Sequence, residues 1–142
     1  MRVSDVMTGD VVTIAADCIA SAALDRMRDH RIHHLVVLGG KDVIGMISDR
    51  DLLARRPDAV VREVMATDMI TIPPAATLRR AAALMHDHGV GALAVVRRGG
   101  LEGIVTASDL IRTLAKGAPH PAPPAERVTL RKRGPRKRAR VI

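Results

Sequence analysis

The sequence predicts an α/β protein in which one small unit is written twice. Three observations carry that expectation. The octet Gly45-Met46-Ile47-Ser48-Asp49-Arg50-Asp51-Leu52 returns 58 residues later as Gly103-Ile104-Val105-Thr106-Ala107-Ser108-Asp109-Leu110. Each octet reads as a short buried strand running into a helix, with a hydroxyl at the junction and a carboxylate three residues on. The same offset relates Val3-Ser4-Asp5-Val6-Met7 to Val61-Arg62-Glu63-Val64-Met65, and Leu35-Val36-Val37-Leu38 to Leu93-Ala94-Val95-Val96, with no insertion or deletion.

The elements follow in order from local patterns. Val3–Met7 and Val61–Met65 read as short helical turns that lead in. Val11-Val12-Thr13-Ile14 and Met69-Ile70-Thr71-Ile72 are β-branched and apolar, hence strands, and Pro73-Pro74 stops the second. Ala20, Ala23, Leu24 and Met27 fall at helical spacing, as do Leu78, Ala81, Ala82 and Met85, placing helices over 19–29 and 77–87. The continuous apolar runs 35–38 and 93–96 suit strands buried on both faces. Gly39-Gly40 and Gly99-Gly100 are turns, one position out of step between the copies. The octets then supply a further strand and a helix, ending near Ala54 and near Lys116. Each unit therefore reads β-α-β-β-α: residues 1–55, a linker at 56–60 containing Pro57, and residues 61–116. Units near 55 residues bury too little surface to stand comfortably alone, so the two are expected to pack together as a pseudo-twofold pair.

Residues 117–142 are different material. Four prolines fall between Gly117 and Pro124, and the stretch 127–140 is almost wholly basic, a composition expected to be disordered. The net charge of +8 is located there: from Lys116 onward there are nine Lys/Arg and one Glu, whereas residues 1–115 carry 14 of each sign. The basicity belongs to the tail and says nothing about the folded part.

Composition narrows the function. Phe, Tyr and Trp are absent, so the core is built from Val, Ile, Leu, Met and Ala, and any bound base lies between aliphatic side chains. Cys18 is the only cysteine, which excludes a disulfide framework and a cysteine-based zinc site and suits a reducing cytosol. Asp5 and Asp10 stand where a signal peptide needs an apolar run, and no segment approaches membrane-spanning length, so a cytoplasmic protein without membrane association is expected. No nucleophile–base pair, metal cluster or Walker-type phosphate loop is visible, and an enzyme is not expected. His30, His33 and His34 are not accompanied by a convergent carboxylate, so no metal site is assigned to them.

Ser48-x-x-Asp51 and Thr106-x-x-Asp109 are, by spacing alone, capping boxes that stabilise a helix start. Two gapless repeats, each closing Gly-hydrophobic-hydrophobic-Ser/Thr-x-x-Asp, resemble a tandem CBS-domain pair, or Bateman module, over residues 3 to about 115. The segment His30-Arg31-Ile32-His33-His34-Leu35-Val36-Val37 is similar to segments of the γ subunit of AMP-activated protein kinase. The resemblance implies a stand-alone regulatory module that requires no cofactor. It would bind an adenosyl ligand (AMP, ADP, ATP or S-adenosylmethionine) in the cleft between repeats and signal by a change of shape or oligomeric state. Capping and binding are compatible. By that resemblance Ser48 and Thr106 meet phosphate while Asp51 and Asp109 accept from ribose hydroxyls. His33, His34 and Arg50 are the candidates to hold phosphate charge; their counterparts Gly91, Ala92 and Ser108 leave the second site without local positive charge. The base pocket would comprise Val12, Thr13, Ile32 and His34, with Ile70, Thr71, Val90 and Ala92. The resemblance also implies a homodimer, for which the Ala-rich helices over 19–27 and 78–85 are the candidate surface.

An alternative is a dimerising scaffold whose tail tethers nucleic acid or an acidic protein. Arg131, Lys132, Arg133, Arg136, Lys137, Arg138 and Arg140 would neutralise phosphates without reading sequence, since no aromatic residue is present to stack on bases.

Overall fold

The computed structural model describes residues 1–117; the basic side chains proposed above for nucleic acid or an acidic partner lie outside the described residues. The described chain is a mixed α/β fold with two three-stranded sheets, one built from each repeat. The first repeat runs β1 (Thr13–Ala15), α2 (Ala20–His30), β2 (His34–Gly39), β3 (Asp42–Ser48) and α3 (Asp49–Leu53), preceded by the single turn α1 (Val3–Val6). The second runs β4 (Thr71–Ile72), α5 (Leu78–His88), β5 (Ala92–Arg97), β6 (Gly100–Thr106) and α6 (Ala107–Ala115), preceded by α4 (Val61–Val64).

Helix α2 carries the chain between parallel neighbours β1 and β2, as a parallel pair requires, and a tight hairpin then joins β2 to antiparallel β3. The central strands β2 and β5 carry the apolar runs, and Leu35, Val36, Val37, Leu93, Ala94 and Val95 are wholly buried. The edge strands β1 and β4 are shorter than their apolar stretches suggest. Val11, Val12, Met69 and Ile70 precede them outside the ladder, although Val12 and Ile70 carbonyls still accept from the Val36 and Ala94 amides.

Each repeat has its own core, but the leading turns are exchanged between them. Val3, Val6 and Met7 pack in the second repeat's core, and Val61, Val64 and Met65 pack in the first. The Val3 and Ser4 amides donate to the carbonyls of Ala76 and Pro74; those of Val61 and Arg62 donate to Cys18 and Ala16. Val3 and Val61 are fully buried, and removing such a side chain from water stabilises the fold by about 1.5–3 kcal/mol. Periodicity cannot show this exchange, because a turn reads the same whichever core receives it.

The exchange explains the glycine that opens each octet. After α1 the chain lies antiparallel to β6, with Thr8 and Ile104 donating to each other's carbonyls at 2.9 and 3.0 Å. A Cβ on Gly103 would stand 2.7 Å from the Thr8 carbonyl oxygen and 3.0 Å from Met7 Sδ. After α4 the chain crosses β3 in the same way, and a Cβ on Gly45 would meet the Ala66 carbonyl oxygen at 2.7 Å and Met65 Sδ at 2.8 Å. Glycine is required where another backbone approaches so closely.

The hairpins fall in equivalent places despite the shifted glycines. The turn residues are Gly40-Lys41 and Arg98-Gly99. Gly40 takes a positive φ in the first; Arg98 (φ 53°) and Gly99 both do so in the second. The stagger thus moves the glycine within the turn and forces an arginine into the left-handed region.

Candidate functional site

Both hydroxyl–carboxylate motifs form complete capping boxes. Ser48 Oγ accepts from the Asp51 amide at 3.2 Å, and the Ser48 amide donates to Asp51 Oδ2 at 3.0 Å. Thr106 Oγ1 accepts from the Asp109 amide at 3.3 Å, while the Thr106 amide and hydroxyl donate to Asp109 Oδ2 at 2.8 and 3.0 Å. The structural role of the motif is therefore realised in both repeats.

Both boxes open on one cleft of about 810 Å³, walled by the two repeats. Its aliphatic lining includes Val12, Ile32, Ile70, Val90 and Ala92, and its polar lining includes His33, His34, Ser48, Arg50, Asp51, Thr106 and Asp109. Thr13 and Thr71 do not line it. Within β1 and β4 successive side chains alternate, and Ile14 and Ile72 are buried in the cores, so Thr13 and Thr71 are turned to the opposite face. Thr13 pairs with Val36 and its carbonyl accepts from Arg26 Nη1 at 2.8 Å; Thr71 is exposed and pairs with Ala94.

The two ends of the cleft differ. Asp51 is exposed, and its Oδ1 accepts no hydrogen bond among the described residues. Asp109 is buried, and its Oδ1 is 3.5 Å from Arg112 Nη1. Arg112 thus restores a cation to the end where loss of positive charge was expected; its counterpart 58 residues earlier is Ala54.

The histidines are poorer anion ligands than their residue type suggests. His33 Nδ1 lies 2.8 Å from Asp49 Oδ2, so its charge when protonated is already matched. Burial would raise the Asp49 pKa, but the His33 bond and the Arg50 amide together hold it below the usual carboxylate range. Burial pushes His34 below its ordinary value against the opposing pull of Asp49, so near neutral pH it stands in the cleft as an uncharged ring. That ring lies across the repeat boundary: a Cβ on Gly91 would be 3.6 Å from its Cε1 and Nε2.

Sequence reasoning missed Arg31, Asp10, Asp68, Met46 and Met69, all of which line the cleft. The repeat offset held the signal for three of them. Asp10 and Asp68 are counterparts, and Arg31 occupies the left-handed C-cap of α2 (φ 54°) where α5 ends in Gly89. A bulky residue held where its counterpart is glycine marks a backbone tolerated for its side chain or its context.

The CBS domain model matches twice, at residues 3–58 and 61–116. The chain belongs to the CBS-domain family. As a CBS pair, it is 31% identical over 114 residues to the CBS domain-containing protein YhcV of Bacillus subtilis, covering 76% of this chain and 81% of that one. It is 29% identical over 111 residues to the inosine-5′-monophosphate dehydrogenase of Nitrosopumilus maritimus, a match covering 77% of this chain but only 23% of the enzyme. Among solved structures, the CBS pair resembles a candidate acetoin utilization protein (AcuB) from Vibrio cholerae, with TM-score 0.71, 31% identity, and coverage of 81% and 90%. It also shares its fold with the CBS pair of MJ0100, solved in complex with 5′-methylthioadenosine and S-adenosyl-L-methionine, with TM-score 0.74, 22% identity, and coverage of 81% and 96%.

Among the described residues, no helix of the CBS pair is long and apolar enough to cross a membrane, and no group of three His, Cys, Asp or Glu could hold a metal ion.

Proposed function

We propose that this CBS pair binds an adenosyl ligand in the cleft and transmits occupancy as a change in shape or association. The first-repeat motif supplies the principal polar contact. The observation that carries this reading is the Oδ1 of Asp51, which has no hydrogen-bond partner among the described residues and lines a cleft with aliphatic walls. A carboxylate oxygen so placed suits a ribose hydroxyl, while Val12, Ile32, Ile70 and Val90 suit a base held without aromatic stacking. The adenosyl ligands of MJ0100 support the choice of ligand class. Asp109, buried and engaged through both oxygens, serves chiefly to hold α6.

Isothermal titration with AMP, 5′-methylthioadenosine and S-adenosylmethionine tests the reading. Asp51→Ala is expected to weaken the ligand that binds by roughly tenfold or more, as loss of a hydrogen bond to a charged group implies. Unchanged affinity in that variant would refute the assignment. Occupancy at a hundredfold over the dissociation constant should stabilise the fold by about 2.7 kcal/mol.

The same reading includes a homodimer, but through a different surface from the helix stripes considered first. Ala20, Ala23, Met27, Ala81 and Met85 are consumed in the cores of their own repeats. Among the described residues, the exposed large apolar side chains are Leu53, Ile111 and Leu114 on α3 and α6, together with Ile19 and Met1. Leu53 and Ile111 are repeat counterparts, which favours α3 and α6 as the contact.

A further inference from the structure

We infer that the cleft discriminates adenosyl ligands by charge, accommodating no more than one phosphate and rejecting a triphosphate. The inference rests on the adenosyl reading above and narrows its ligand class. Three of the charged groups in the cleft are already matched or silent. Arg112 pairs with Asp109, His33 pairs with Asp49, and His34 is held neutral by burial. That leaves Arg31 and Arg50 as cations with no ion-pair partner among the described residues, against the carboxylates of Asp10, Asp51 and Asp68. The unmatched charge is net negative.

The two arginines stand at one end of the cleft. Strands β2 and β3 pair His34 with Ser48, and the Asp49 amide donates to the His33 carbonyl at 2.9 Å. Arg31 and Arg50, just beyond these positions, therefore flank the same strand ends. Two guanidiniums match the charge of one phosphate. A second and third phosphate would enter a cleft whose remaining unpaired charges, among the described residues, are the carboxylates of Asp10, Asp51 and Asp68. At physiological ionic strength, charges within about 8 Å are incompletely screened, so the mismatch is felt inside the cleft.

The test compares AMP and ATP on the full chain by isothermal titration without divalent cations, at low and raised NaCl. Binding whose affinity Asp51→Ala leaves unchanged is assigned outside the cleft. AMP is expected to bind about threefold to thirtyfold more tightly than ATP, because the modest penalty of each unmatched exposed charge compounds over two phosphates. ATP binding should strengthen as salt is raised, since salt screens repulsion. Asp10→Asn combined with Asp68→Asn should raise ATP affinity by about tenfold, the two acidic side chains being exposed and outside the helices and strands. ATP binding as tightly as AMP, or ATP affinity untouched by the double substitution, overturns the inference while leaving the adenosyl reading in place. Absence of cleft binding by AMP, 5′-methylthioadenosine and S-adenosylmethionine alike overturns both.

Discussion

Replacing Gly103 by alanine tests whether the exchanged leading segment holds the repeats together. The added Cβ would stand 2.7 Å from the Thr8 carbonyl oxygen, a backbone atom that cannot rotate away, and 3.0 Å from Met7 Sδ. Relief requires the segment 7–8 to lift off β6. Overpacking of this kind costs about 1–3 kcal/mol. The lift also strains the two Thr8–Ile104 hydrogen bonds, each contributing about 0.5–1.5 kcal/mol net. A loss of about 2–4 kcal/mol is therefore expected, or a fall in melting temperature of roughly 10 °C. Gly100→Ala is the control, because its Cβ would be 3.5 Å from the nearest atom, the Arg97 carbonyl oxygen, an ordinary contact. That change should stay within about 0.5 kcal/mol. Urea denaturation followed by far-ultraviolet circular dichroism measures both, since the chain has no Trp or Tyr fluorescence. Equal stability of the two variants would show that the segment does not lie against Gly103 in solution, and the exchange would have to be abandoned.

Two further outcomes follow from single residues. Because burial lowers the pKa of His34, the unfolded chain takes up a proton first as pH falls below about 6.5. The stabilisation from a neutral His34 is thus present above that pH and is lost as pH falls toward the lower folded value; His34→Gln should flatten this part of a stability–pH curve, and an unaltered slope would assign it to other groups. Arg98→Asn should stabilise the fold by roughly 0.5–1 kcal/mol, because Asn tolerates the left-handed backbone and creates an Asn-Gly turn. A urea midpoint at or below that of the unsubstituted chain would contradict this.

Much of the site was legible because the chain repeats itself. The hydroxyl and carboxylate at 48 and 51, and at 106 and 109, carry their helix-capping function in their spacing, and the boxes form as that spacing requires. The aliphatic residues of the wall, Val12, Ile32, Ile70, Val90 and Ala92, came from the resemblance to CBS pairs, and all five line the cleft. Thr13 and Thr71 were misplaced because alternation along an extended chain reverses the face at every residue. The charges were least legible. Arg112 reaches the cleft from one helical turn beyond its motif, and whether His33 and His34 act as cations depends on Asp49 and on burial, neither of which has a sequence period.

The sequence by itself determined the two repeats, their β-α-β-β-α order, the buried central strands and the capped helix starts, because each depends on neighbours a few residues away. Only the tertiary structure decided which core receives each leading turn. Val3 and Val61 are equally apolar, and both cores offer aliphatic space, so the choice depends on how the two repeats sit against one another. The same assembly decided that Gly45 and Gly103 face a crossing backbone, and that two similar capping boxes end with one open carboxylate and one closed. Local chemistry is written in residue order; the difference between equivalent positions arises where the repeats meet.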